Sequence, residues 1–240
     1  MRRGIRRADD GRDARHGTSR RRHLAAAVLA VALQAGPART QSADAAAAYR
    51  RGDVAAAMAA WRAQAESGDA VAQFNLAILL DQGTGAPQDR GAAAAWYRRA
   101  AVQGDARAAF NLGAILLAGD GVPRDAEAAA RWLRQAAEQG DALAQFRLGA
   151  LLADGDGIVA DPAEAARWFA LAAAQDHGPS MFRLGTLLAN GTGVERDLAK
   201  ATELFERADV AMMTGESNTS CTTQRSAHML EACRRIVPRM

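Results

Sequence analysis

Ala72-Gln73-Phe74-Asn75-Leu76-Ala77 is the stretch of sequence that decides the fold, because its central residues return every 36 residues. The phenylalanine is followed each time by Asn or Arg and then by Leu, and the interval never changes. The four phenylalanines are Phe74, Phe110, Phe146 and Phe182. Self-similarity at a fixed period of about 20 to 50 residues is typical of repeat proteins. The chain is therefore predicted to contain four copies of one structural unit.

Three other features keep the same interval and show how long each unit is. They are a tryptophan, a Gly-x-Gly loop and an aspartate that follows the loop. The tryptophans are Trp96, Trp132 and Trp168, the loops are Gly83 to Gly85, Gly119 to Gly121, Gly155 to Gly157 and Gly191 to Gly193, and the aspartates are Asp89, Asp125, Asp161 and Asp197. The predicted units are residues 68–103, 104–139, 140–175 and 176–211. The last unit is degenerate, with Asp176 at the junction glycine and Leu204 in place of the tryptophan.

Each unit is predicted to fold as two antiparallel helices, here called helix A and helix B. In the first unit, Gly68 suits the left-handed conformation that ends a helix, and Asp69 is a favourable N-cap for helix A. Helix A ends at the Gly-x-Gly loop, where glycine permits positive φ angles, and Asp89 caps helix B. A small residue at one position of helix A lets the two helices pack closely. These small residues are Ala77, Gly113, Gly149 and Gly185.

The composition agrees with an all-helical protein, since alanine dominates and aromatic residues make up only 5%. One hairpin leaves apolar surface uncovered, whereas stacked hairpins share a continuous core. The predicted fold is all-α, an α/α superhelical solenoid of antiparallel helix pairs with an extended concave surface. A shorter helical pair is predicted at residues 46–67, and a capping segment at residues 212–240.

Residues 1–45 have the features of an export signal. An arginine-rich stretch leads into the apolar residues 24–33, about half the length that a membrane-spanning helix needs. Small residues at positions 38 to 45 offer cleavage sites, so the mature protein is expected to be periplasmic or secreted, without a membrane span. Residues 19–24 resemble the twin-arginine export motif, but His23 replaces the usual phenylalanine, which leaves general secretion open. The alternative is a basic tail that binds RNA or phospholipid.

The charge distribution argues against a nucleic-acid partner. The formal net charge is +3, but residues 1–38 alone hold nine arginines against three aspartates. Residues 39–240 hold 21 basic and 24 acidic side chains. This mildly acidic remainder lacks the basic surface that nucleic-acid binding requires.

The two cysteines, Cys221 and Cys233, lie near the end of the chain. In an oxidising compartment they can form one disulfide. A continuous helix would separate them by about 18 Å, so the bond requires a turn between them. Two free thiols and an intermolecular bridge are the alternatives.

The repeated features together resemble the Sel1-like repeat, a relative of the tetratricopeptide repeat. They are residues 72–77, the Gly-x-Gly loop, the capping aspartate and Trp96-Tyr97-Arg98-Arg99-Ala100-Ala101 before Gly104. The resemblance covers residues 68–211, and residues 43–67 resemble the tetratricopeptide-like opening of exported members. It implies an adaptor or scaffold in envelope signalling, polysaccharide secretion or the regulation of partner proteins. It identifies no partner, and no cofactor is predicted.

A polar column on helix A is the predicted partner-binding site. Its members follow the repeated phenylalanines, with two glutamines beside them. They are Asn75, Asn111, Arg147 and Arg183, together with Gln73 and Gln145. In the related tetratricopeptide fold helix A lines the concave side, and an asparagine at a matching place holds the backbone or carboxylate of a ligand. Guanidiniums about 10 Å apart in successive repeats would bind successive acidic groups of one extended segment. The alternative is that the asparagines bond a neighbouring loop and the arginines are solvated.

The phenylalanine and tryptophan columns are predicted to be structural. Residues that recur with the repeat are explained by packing between hairpins more simply than by a ligand pocket. Truncation of a buried tryptophan to alanine is expected to cost about 3–5 kcal/mol.

No pattern typical of catalysis or metal binding is found. The sequence lacks a nucleophile elbow, a His-Glu-x-x-His pair and Cys or His clusters with metal spacing. Gly119-Asp120-Gly121 and residues 154–157 resemble phosphate or calcium loops, but Ile158 occupies a calcium-ligand position and the recurrence marks them as turns.

The predicted function is therefore that of a non-catalytic envelope adaptor that binds a protein segment along its concave surface. One alternative is an enzyme acting on cell-wall peptide or a β-lactam, because a cysteine-rich branch of the resembled family is associated with β-lactams. That branch carries a disulfide in each repeat, and the repeats here contain no cysteine. The other alternative is a structural spacer of a polysaccharide secretion complex.

Overall fold

The computed structural model describes residues 44–215, with side chains as far as residue 212. These residues form ten α-helices and, within the described range, no strand. The helices are α1 (44–50), α2 (Val54–Glu66), α3 (Ala70–Gln82), α4 (Arg90–Val102), α5 (Ala106–Ala118), α6 (Ala126–Glu138), α7 (Ala142–Asp154), α8 (Pro162–Ala173), α9 (Gly178–Asn190) and α10 (Leu198–Gly215). The prediction of an all-α solenoid of helix pairs is confirmed.

Contacts divide the chain into two compact units, one ending at Ala60 and the other starting at Trp61. The second unit contains four hairpins, α3 with α4, α5 with α6, α7 with α8, and α9 with α10. Within this unit, helix A of each repeat is α3, α5, α7 or α9, and helix B is α4, α6, α8 or α10. The first three helices B also pack against helix A of the next repeat. None of the helices in residues 44–215 is long and apolar enough to cross a membrane.

The helices begin where aspartates cap them. Seven of the eight helices from α3 to α10 start after an aspartate whose carboxylate accepts a bond from a backbone N–H of the first turn, at 2.7 to 3.0 Å. These aspartates are Asp69, Asp89, Asp105, Asp125, Asp141, Asp161 and Asp197. Such caps satisfy N–H groups that no helix can bond internally. The predicted caps at Asp69 and Asp89 are confirmed.

The loop glycines shape the turn between the two helices and the contact between repeats. Gly119 ends α5 with φ of 69° in the left-handed region, which a side chain disfavours. The second glycine of the loop, Gly121, lies against the start of α4 in the preceding repeat. A Cβ there would be 2.7 Å from the backbone nitrogen of Gly91. The Gly-x-Gly loop therefore serves both as a turn and as a close backbone contact between repeats.

Each hairpin is closed by a large helix-B side chain packed against a small residue of helix A. Phe169 is fully buried, and a Cβ on Gly149 would be 2.8 Å from its ring. Phe146 of the same repeat lies against Phe169, with ring centroids 6.0 Å apart. The helix-B members, 36 residues apart, are Tyr97, Leu133, Phe169 and Phe205, all buried. The predicted close approach at the small helix-A residues is confirmed by these contacts.

The tryptophans are not the buried members of helix B. Trp96, Trp132 and Trp168 are each half-buried and lie one residue before the fully buried column. Arg99 stacks over the ring of Trp96, and Trp168 donates its ring N–H to Glu164. The expectation of a buried tryptophan is therefore wrong. The tryptophan column covers the hairpin from outside, and the column after it fills the interior.

Ion pairs join neighbouring loops and helices across the repeats. Arg90 at the start of α4 binds both Asp81 and Asp120, which belong to different repeats. Arg124 binds Asp156 in the next loop. The two acidic loops that resemble phosphate or calcium sites thus have structural partners, in agreement with their prediction as turns.

The last hairpin departs from the other three at its first junction and near the end of its helix B. Asp176 replaces the junction glycine and has φ of 60°, the one non-glycine residue with positive φ in the described range. At the other end, Asp209 in α10 occupies the position of Ala101, Ala137 and Ala173, which are buried in the earlier repeats. A polar outer face is expected of a terminal repeat. Most of the leader, residues 1–43, and both cysteines, Cys221 and Cys233, lie outside the described residues.

Candidate partner-binding surface on the first helices

The side chains of helix A that stay accessible form a repeated surface. In each repeat they lie three and four positions apart, which places them on one face of the helix. We call this set the helix-A surface. It consists of Val71, Asn75 and Ile78, then Arg107, Asn111 and Ala114, then Leu143, Arg147 and Ala150, then Pro179, Arg183 and Thr186.

The predicted polar column runs through the middle of this surface, but its four members differ in exposure. Asn75, Asn111 and Arg183 are half-buried, whereas Arg147 is exposed. The guanidinium of Arg147 makes no hydrogen bond or ion pair with any residue that the structure describes. The column is therefore not a uniform ladder.

Asn111 is held by the preceding repeat. Its amide interacts with the hydroxyl of Tyr97, which belongs to α4. Burial and the negative charge of Asp81 raise the pKa of Tyr97 to about 12, although the interaction with Asn111 acts in the opposite direction. The phenol therefore stays neutral at physiological pH. Asn111 therefore interacts with a helix-B tyrosine of the preceding repeat, whereas the alternative interpretation expected a neighbouring loop.

Arg183 is also engaged within the chain. Its guanidinium lies 2.5 Å from the carboxylate of Asp154, the last residue of α7 in the preceding repeat. The guanidinium carbon lies 5.7 Å from the ring centroid of Phe169. Arg107, in the second repeat, is paired in a similar way with Asp105 at 2.7 Å. Burial alone would raise the pKa of Asp105, but hydrogen bonds from Arg107 and from the backbone of Ala108 lower it below its usual range.

Gln73 and Gln145 do not belong to the accessible surface. They are 3% and 4% exposed, and both ends of each amide are bonded within the chain. Gln73 donates to the carbonyl of Ala65 at 3.1 Å and accepts from Gln103 at 2.8 Å. Gln145 makes the equivalent pair of bonds 72 residues later, to Ala137 and from Gln175. Their expected contribution to partner binding is therefore corrected, because these glutamines join the helices of adjacent repeats.

The helix-A surface also has an apolar component that the sequence analysis did not single out. Val71 is 49% exposed and Leu143 is 44% exposed. Phe110, Phe146 and Phe182, next to the polar column in sequence, are half-buried. Beside Arg147 the surface thus combines a free cation with the exposed side chain of Leu143.

Within residues 44–215, no three His, Cys, Asp or Glu side chains come together as a metal site would require. Several carboxylates in the described range form ion pairs with arginines, four of them between neighbouring repeats.

Comparison with known proteins gives four consecutive matches to one family model. The model is that of the Sel1 repeat, and it matches residues 70–105, 106–141, 142–177 and 178–208. The predicted resemblance is confirmed. Among curated proteins, none matches the chain.

Two solved structures are informative. One is a protective antigen present in uropathogenic Escherichia coli strains that displays an SLR fold. It is 35% identical with a TM-score of 0.60, and the match covers 67% of this chain and 33% of the antigen. This chain thus spans about a third of the antigen's length. The other is a Sel1 repeat protein from Oxalobacter formigenes, 26% identical with a TM-score of 0.68, where the match covers 83% of this chain and 88% of that one.

Proposed function

The chain belongs to the Sel1 repeat family, and from that premise we propose that it is a non-catalytic adaptor of the bacterial envelope that binds a protein segment along its helix-A surface. Sel1 repeats generally act as scaffolds for protein–protein interaction, and family members are typically non-catalytic. The finer assignments, to this surface and to the envelope, are the proposal.

The observation that carries the proposal is the pairing of a free guanidinium with exposed apolar side chains on one helix face. Other recurring features of the repeats have a partner within the chain: the aspartates cap helices, the large helix-B residues fill the hairpins, and the glutamines join repeats. Arg147 and Leu143 remain accessible without such a role. Accessible side chains that neither cap nor pack are candidates for recognition.

The envelope assignment rests on the sequence of residues 1–45. An arginine-rich stretch, a short apolar segment and small residues follow one another in the order of an export signal. In the envelope, the partner would be a protein that exposes an extended or helical segment, such as a sensor domain or an assembly factor.

The binding surface is tested by charge reversal with capture from an envelope extract. The variant is Arg147→Glu with Arg183→Glu, and the control is Arg131→Glu with Arg167→Glu, two exposed arginines on helix B of successive repeats. We expect the wild type and the control to capture the same protein, identified by mass spectrometry, and the helix-A variant to lose it. Both variants should melt within a few degrees of the wild type, because Arg131, Arg147 and Arg167 are exposed and the half-buried Arg183 loses only a weak ion pair. Equal capture by all three proteins would contradict the proposal.

A further inference from the structure

The three arginines on helix A differ in whether their charge is already compensated. Arg107 is paired with Asp105 and Arg183 with Asp154, whereas Arg147 has no such partner among the described residues. The column therefore presents one free cation in the third repeat and one occupied cation in the fourth.

Asp154 is not a feature of the repeat. The equivalent residues of the other helices A are Gln82, Ala118 and Asn190, none of them charged. A carboxylate at the last position of a helix also opposes the helix dipole, so local helix stability does not favour it. Its side chain is 56% exposed and lies against Arg183 on the helix-A surface. Asp154 thus occupies the place on Arg183 that a carboxylate of a bound partner would take.

We propose that the helix-A surface binds an acidic polypeptide segment, and that Asp154 is an internal competitor which the segment must displace from Arg183. Arg147 receives the first carboxylate of the segment. Arg183 receives the second by exchanging Asp154 for it. This inference rests on the proposed function and adds the chemistry of the partner.

The spacing of the two arginines sets the pattern of the segment. Arg147 and Asp154 are seven residues apart on α7, about 10 Å along the helix axis, and the guanidinium of Arg183 binds Asp154. An extended chain advances about 3.3 Å per residue. Two carboxylates about three residues apart therefore match Arg147 and Arg183. Leu143 lies one turn before Arg147 on α7, on the side away from Asp154, and its exposure favours an apolar side chain in the segment next to the first carboxylate.

A polypeptide fits this surface better than a regular polyanion does. Nucleic acids bind through many phosphate contacts at once, whereas this face offers a single free guanidinium. An exposed ion pair such as Arg183 with Asp154 contributes little stability because both groups are hydrated. A carboxylate of the partner can therefore replace Asp154 on Arg183. Because the internal ion pair must be broken first, the partner binds less tightly than it would without Asp154.

The test selects short random peptides displayed on phage against the full chain. We expect the enriched peptides to carry two Asp or Glu residues about three positions apart with an apolar residue beside the pair. An enriched peptide is then synthesised and labelled, and its affinity is measured by fluorescence polarisation for four proteins. These are the wild type, Asp154→Asn, Arg147→Glu and the helix-B control Arg131→Glu.

Asp154→Asn should bind the peptide about threefold to fivefold more tightly, the effect of releasing one exposed ion pair. Arg147→Glu should bind at least about tenfold more weakly, and Arg131→Glu should bind like the wild type. Unchanged or weaker binding by Asp154→Asn would overturn the competitor role. Enrichment of neutral or basic peptides, or no enrichment beside tight binding of an oligonucleotide, would overturn the acidic segment as ligand.

The two proposals fail in different ways. If the envelope partner is lost from the Arg147→Glu, Arg183→Glu protein but the selected peptides are not acidic, the adaptor function stands and this inference fails. If neither capture nor peptide binding depends on Arg147, both fail.

Discussion

His177 replaces an aspartate at the start of the fourth hairpin. Asp69, Asp105 and Asp141 cap helix A in the other repeats, but His177 makes no cap bond with the backbone of α9. Its Nδ1 instead lies 2.8 Å from the hydroxyl of Ser180, which is fully buried. Burial lowers the pKa of His177, although the negative charge of Asp141 raises it in part. A proton on this ring would also oppose the positive end of the helix dipole.

This environment predicts a pH dependence of stability. The folded protein takes up a proton at His177 at lower pH than the unfolded chain does, where the pKa is about 6.5. Stability that is present above that pH is therefore lost as the pH falls through the window between the two pKa values. Urea unfolding at pH 7.5 and pH 5.5 measures it. We expect the wild type to lose more stability over this interval than His177→Asn, which cannot titrate, and equal losses would contradict the prediction.

At the scale of the helix, two adjacent columns on helix B have different roles. The sequence draws attention to the tryptophans because they are identical in three repeats. The buried column is chemically mixed, as Tyr97, Leu133, Phe169 and Phe205, and is less visible in a search for identity. Its signal is a complementary pattern: a large residue at this position of helix B faces a small one, such as Gly149, on helix A.

Truncation of neighbouring residues distinguishes the two columns. Phe169→Ala empties the interior of the third hairpin and should destabilise the protein by about 3–5 kcal/mol. Trp168→Ala should cost clearly less, because this side chain is half-buried and keeps contact with water. Chemical denaturation followed by circular dichroism gives both values. A tryptophan variant as unstable as the phenylalanine variant would contradict the assignment.

The fold was predictable at this scale, whereas the state of the candidate site was not. Caps, loop glycines and the 36-residue interval are local signals that depend on neighbouring residues. Arg183 and Asp154 are 29 positions apart, and an acidic residue stands at the end of helix A in the third repeat only. No periodic pattern therefore reveals this ion pair. Gln73 and Gln145 were misassigned although a signal existed: Gln103 and Gln175, their partners, show the same 72-residue interval.

At the scale of the whole molecule, the proposed envelope location depends on residues before the first repeat. If the twin-arginine route is used, Arg20→Lys with Arg21→Lys should keep a reporter fused after the leader in the cytoplasm, because that motif requires paired arginines. Fractionation of the cells measures the distribution, and replacement of Arg2 and Arg3 by lysine is the matched control. Continued export of the first variant would exclude the twin-arginine route and favour general secretion.

The terminal position of Asp209 restricts how such an array lengthens. A gene duplication that inserts another copy between existing hairpins joins surfaces lined by buried alanine, such as Ala137. A copy appended directly after α10 would instead cover an aspartate without a counter-charge, which is costly in a protein interior. Longer relatives of this protein should therefore carry their additional hairpins between the existing ones and keep the hairpin with the aspartate as the last of the array.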